Sequence, residues 1–238
     1  MEHHGPTSWL LQIPFLSHSQ KFIHVNGAIL VFLFISVCSL LAYALIKGQE
    51  ESYIIPRKRF TLVTMVDILV EALFGMVSGT LGHSAKQYFP FIASLFIFIF
   101  FSNLMGLIPF ASAPTSNPNT TFALGIATFV YYNAMGIRAH GLKKYLEHFL
   151  MGLGPFGVAV AVLEMISHFL RPFSLGLRLF LNLYMDHTIV HTFQSIAAYL
   201  VPVPLLLFGV VVCTIQAFVF ATLTAVYIQL ATEHDDSH

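Results

Sequence analysis

Between Phe149 and Thr232 the chain carries formal charge only at Glu164, Arg171, Arg178 and Asp186, in a stretch otherwise apolar enough to be membrane. A guanidinium cannot shed its charge in such surroundings, so Arg178 demands a function or a partner. On a helix of 3.6 residues per turn the four charges fall within about 80° of arc. His168 and Asn182 share that face. A continuous polar stripe on a hydrophobic helix has to look into a protein interior or a wet cavity, because each polar group exposed to lipid costs several kcal/mol. This pattern is that of a chain built to handle ions.

The remaining composition agrees. Hydrophobic residues make up 57% of the 238 and charged residues 9%, against roughly 25% charged in soluble domains. A chain of this length has room for about five or six spans of roughly 20 residues. With 11 Lys+Arg against 11 Asp+Glu, no global charge argues for nucleic acid as a partner. Cys38 and Cys213 both fall in apolar segments without metal-like spacing, so they read as buried thiols and no disulfide is expected.

Along the chain, residues 1–24 are polar, without the basic start of a secretory signal, and 25–46 form the first expected span. Lys47, Arg57, Lys58 and Arg59 follow. By the positive-inside rule they place this loop in the cytoplasm and the N-terminus outside. Residues 60–82 hold Asp67 and Glu71 one turn apart, with Gly75, Gly79 and Gly82, and suggest an amphipathic helix lying at the interface. Residues 88–136 read as a helical hairpin. Its first arm runs from Tyr88 to Pro109, a polar turn spans Ser112 to Thr121 with Pro114 and Pro118, and the second arm starts at Phe122. Arg138, Lys143 and Lys144 mark the inside again.

From Phe156 to about Ala197 the pattern predicts a helix of roughly 40 residues, about 60 Å long, around twice the hydrocarbon thickness. Such a helix must tilt, lie partly in the membrane plane or bend, and Pro172 offers a bend. Pro202 and Pro204 are expected to make the turn into a second long helix, Val203 to Leu230, with Gln216 inside it. The acidic tail Glu233 to Asp236 ends in the cytoplasm. The expectation is one all-α polytopic membrane domain. It has about five crossing helices and one interfacial helix, and the last two, within 156–230, are paired as a long tilted hairpin.

Several motifs then stand in a recognisable order. Ser174-Leu-Gly-Leu-Arg-Leu-Phe180 with Asn182, and Gln216-Ala-Phe218 through Tyr227, resemble the a-subunit family of F-type ATP synthases. So do Tyr88-Phe-Pro-Phe91, Asn103-Leu-Met-Gly-Leu-Ile-Pro109, and Pro114-Thr115 running into Asn119-x-Thr121. The resemblance covers most of residues 60–232. It implies a non-catalytic stator subunit without cofactor or metal. Two long tilted helices would cradle a rotating ring of c subunits, each with a membrane carboxylate, and peripheral-stalk b subunits and the soluble catalytic head complete the assembly.

The translocated ion is expected to be a proton rather than sodium. The expected setting is a bacterial inner membrane, with an organellar membrane as the alternative, since nothing at the N-terminus reads as an organellar transit peptide.

By the same resemblance Arg178 faces each ring carboxylate, Gln216 orients its guanidinium, Asn182 holds water in the inlet path and Glu164 lies toward the cytoplasmic outlet. His168, Arg171 and His191 are supporting residues. The chain also departs from the family. Asp186 precedes His187 where many relatives carry a small residue and then Glu or His, Gly209 stands where many have an ionisable residue, and Leu181 replaces a usual Gly. Asp186, with His187 or His191, is therefore the expected inlet proton carrier.

Two functions of other classes compete with this one. His187 and His191, four apart, could join Glu164, His168 or Asp186 in an intramembrane zinc protease site. However, no His-Glu-x-x-His motif exists and Arg178 would repel a dication. A secondary transporter could instead use Arg178 to bind an anion, although no inverted repeat is visible.

Overall fold

The computed structural model describes residues 23–47, 62–107, 113–143, 145, 154–194 and 202–232. The polar N-terminus, the basic loop beyond Lys47, Pro109, Lys144 and the acidic tail lie outside the described residues. All regular structure among the described residues is helical. The chain divides into two units, residues 1–114 and 115–238.

The first unit contains α1 (Ile23–Ile46), α2 (Leu62–Leu81) and α3 (Ala85–Leu107). A one-turn 3-10 segment, Gly82–Ser84, joins α2 to α3, and Gly82 adopts φ +54, a left-handed conformation that a side chain would oppose. On α2, Leu73, Val77 and Leu81 recur every four residues and are buried. Phe74 of α2 meets Phe89 of α3 edge to face at 5.4 Å. Asp67 and Glu71 are exposed.

The buried stripe of α3 runs through Tyr88, Ile92, Leu95, Ile99, Ser102 and Asn103, the last only 2% exposed. Val31 of α1 packs against Met105, and Phe34 against Phe101 at 5.6 Å.

The second unit contains α4 (Pro118–His140), α5 (Gly154–Gln194) and α6 (Pro202–Thr232). α4 begins earlier than the sequence pattern suggests. The polar turn ends at Asn117, whose side-chain oxygen accepts the Asn119 N–H at 2.9 Å, while Pro118 takes the first helical position, where its missing donor is not needed. α4 closes on Gly141, φ +78, whose N–H donates to the Ile137 carbonyl at 2.8 Å. α5 is 41 residues long and continues through Pro172.

Pro202 and Pro204 stand in the first turn of α6 and not in the turn before it. A helix start tolerates proline because its first N–H groups have no intrahelical acceptor. The turn itself, 195–201, lies outside the described residues.

α4 packs against both α5 and α6, which also touch each other. The unit is thus a three-helix arrangement in which the two long helices share α4 as a support. Three described stretches, His24–Ala44, Thr64–Leu107 and Leu206–Thr232, are long and apolar enough to cross a membrane by length and composition. The protein is an all-helical, polytopic integral membrane protein. α4 and α5, which would complete the expected count of about five crossings, carry more polar residues.

Candidate functional site

Among the α5 residues whose side chains are described, His168, Pro172, Leu175, Gly176, Leu179 and Leu183 are buried. Their spacing of three and four places them on about 100° of arc. The polar stripe lies along one margin of that arc. Glu164, Arg171 and Asn182 are half-buried there, and Arg178, about 80° from His168, is exposed. Leu177 and Leu181 are exposed on the outer side.

The buried face is held close to α4. A Cβ on Gly125 would stand 2.5 Å from the Pro172 carbonyl oxygen, and one on Gly176 would stand 3.0 Å from the Thr121 carbonyl. Only hydrogen at these positions permits the approach. Phe122 and Phe173 flank the crossing at 5.9 Å.

α6 presents a seam of small buried residues, Gly209, Cys213, Ala217, Ala221 and Ala225, with Thr224 donating to its own Phe220 carbonyl at 2.9 Å. Gln216 and Tyr227 are both half-buried and lie about 20° apart on one margin of this seam. Arg171 rests its guanidinium over the Tyr227 ring, 5.3 Å from the centroid, joining the margins of α5 and α6. Among the described residues no side-chain hydrogen bond or ion pair engages Arg178, Gln216, Asn182 or Glu164.

His168 has different company. Its Nε2 lies 2.9 Å from Asn133 Oδ1 on α4, and its ring is caged by Phe129 at 5.1 Å and Tyr132 at 5.4 Å. Tyr145 donates to the same Asn133 oxygen at 2.8 Å. Burial pushes the Tyr145 phenol above its usual pKa, with Arg171 opposing. The hydroxyl therefore remains a donor at neutral pH.

Asn133, Tyr132 and Tyr145 were not singled out by sequence reasoning. The available signal was an amide in the middle of an apolar helix, which by itself says nothing about its partner. Asp186, His187 and His191 all lie on the C-terminal half of α5, with side chains outside the described residues. By helical spacing Asp186 aligns with His168, and His187 is about 100° further round.

Known proteins now decide the family. A family model described as ATP synthase A chain matches residues 28–229. The chain belongs to the ATP synthase A chain family. Within it, the chain is 39% identical over 188 residues to ATP synthase subunit a of Bdellovibrio bacteriovorus, covering 79% of this chain and 82% of the relative. The subunit a of Trichlorobacter lovleyi is 36% identical, covering 94% of this chain and 97% of the relative. For that of Sorangium cellulosum the identity is 34%, covering 100% and 99%. The match includes the whole Arg178 segment and most of α6, so the polar margins of α5 and α6 belong to the region that defines this ATP synthase family.

Proposed function

We propose that this member of the ATP synthase A chain family is the proton-translocating stator subunit of its complex, and that Arg178 is the group past which each ring carboxylate moves. The observation that carries this reading is the state of Arg178. It is a permanent cation on an apolar helix, exposed, with no countercharge among the described residues. A countercharge supplied by another subunit satisfies it.

The chemistry follows from charge alone. A carboxylate crossing lipid must be protonated, whereas one within about 4 to 6 Å of a fixed cation is favoured as the anion. Arg178 thus strips the proton from each arriving site and, because it stays charged, bars a direct proton leak. In the assembled complex Gln216 is to orient the guanidinium through a hydrogen bond, without neutralising it. Glu164 serves the cytoplasmic outlet, and Asn182 with Asp186, His187 or His191 serves the inlet.

The partners are the c-subunit ring, the b subunits of the peripheral stalk and, through them, the catalytic head. This chain itself is non-catalytic. It sits in a bacterial inner membrane, with its N-terminus outside and its C-terminus in the cytoplasm.

The test is Arg178→Ala in assembled complexes. Proton-driven ATP synthesis falls to background, and Arg178→Lys does not restore it, because a lysine covered by the ring in the assembled complex can lose its proton and lacks the planar fork. Normal synthesis in assembled Arg178→Ala complexes overturns the reading.

A further inference from the structure

We propose that Asn133, Tyr145 and His168 form a positioning clasp that fixes the rotation of α5 about its own axis, and with it the direction in which Arg178 is presented. The proposal rests on the reading of Arg178 given above. The clasp begins with the orientation of one amide. Asn133 Nδ2 donates to the Phe129 carbonyl at 2.7 Å, so Oδ1 is the end turned toward α5. That oxygen accepts the Tyr145 hydroxyl at 2.8 Å and stands 2.9 Å from His168 Nε2. An acceptor paired there requires the imidazole proton on Nε2, and both lone pairs of the amide oxygen are then used.

The sequence makes room for this arrangement at Gly136. A Cβ there would lie 2.7 Å from Tyr145 Cε2 and 2.9 Å from the Ala231 carbonyl of α6. Without that space the Tyr145 ring could not lie across α4 to reach Asn133.

Of the other contacts of α5, the glycine approaches at Gly125 and Gly176 also hold its face toward α4, and the rest resist rotation poorly. Leu175, Leu179 and Leu183 are buried aliphatic groups, and dispersion contacts have little angular preference. The seat of Arg171 on the face of Tyr227 is likewise broad. The bond from His168 to Asn133 is directional and its ring is caged by aromatic neighbours, with His168 only 9% exposed. Because Arg178 lies on the same helix at about 80° from His168, the azimuth of one fixes that of the other.

The experiment compares ATP-driven proton pumping with ATP hydrolysis in assembled complexes. His168→Leu and Asn133→Leu each lower pumping per assembled complex about tenfold while hydrolysis persists, within the roughly hundredfold that a remote change can cost by misplacing a working group. Their double variant is no worse than the worse single, because both break one network. His168→Gln, whose amide N–H can reach Asn133, recovers most of the pumping lost in His168→Leu.

If His168→Gln is as poor as His168→Leu, the imidazole acts by titrating, and the clasp is wrong. Additive losses in the double variant also overturn it. Should the leucine variants fail to assemble, Tyr145→Phe decides: pumping falls about threefold, and unchanged pumping overturns the clasp. Arg178→Ala in the same assay separates the two ideas. Normal pumping there removes the underlying reading, whereas its loss beside normal His168→Leu pumping removes the clasp alone.

Discussion

Arg171 and Arg178 stand two turns apart and about 20° from each other on α5, yet the fold treats them differently. Arg171 rests on Tyr227, and Arg178 is left exposed. Charge and spacing alone could not have told them apart in the sequence; the surrounding motif did. The inlet carrier can be assigned by mutation. Asp186→Asn is expected to slow proton flow strongly with assembly intact, since Asn keeps the shape but cannot exchange a proton, and His187→Gln to do less harm. Pumping assays normalised to assembled enzyme decide, and near-normal pumping by Asp186→Asn rejects the assignment.

At this scale, legibility followed a simple division. Glu164, Asn182 and Gln216 could be singled out as candidates because a polar residue on an apolar helix face is conspicuous. The meaning of Asn133 depends on a histidine 35 residues away, which no local pattern encodes.

At the scale of elements, the long helices were legible almost to their ends. The pattern predicted residues 156 to about 197 and 203–230, where the structure has Gly154–Gln194 and Pro202–Thr232. Length and unbroken hydrophobicity determine such helices. The start of α4 was hidden because Asn119, Thr120 and Thr121 look like turn residues, while the Asn117 cap and Pro118 make them the first helical turn. The role of α4 as common support was also unreadable, since it depends on which glycines meet which carbonyls.

The crossing of α4 and α5 at Gly125 gives a sharp expectation. Gly125→Val must displace the Pro172 carbonyl, and overpacking of this kind costs about 1 to 3 kcal/mol. Heating the purified complex and following retention of this subunit measures it. Gly75→Val is the control, because no atom beyond the adjoining helix backbone lies within 4 Å of a Cβ there. Equal loss from both variants rejects the close-contact account.

Across the whole molecule, class and ion-handling character came from composition and charge placement, whereas the division at residue 114 did not. It depends on contact density between helices of similar hydrophobicity. Glu164 and Asp186, assigned to opposite half-channels, supply the whole-chain test. Cysteines placed beside them are expected to react with water-soluble thiol reagents from opposite faces of the membrane. Labelling of both from one face rejects the two-channel assignment.

The side-chain bonding of α4 bears on how such a chain is made. Thr121, Thr128 and Asn133 each donate to a carbonyl of α4 itself, at 3.1, 3.0 and 2.7 Å. A segment leaving the ribosome reaches lipid before the segments that follow it exist, and lipid offers polar groups no partner. With those donors satisfied from within, α4 brings these groups through its wait at little cost, ready as a template for the two long helices synthesised after it.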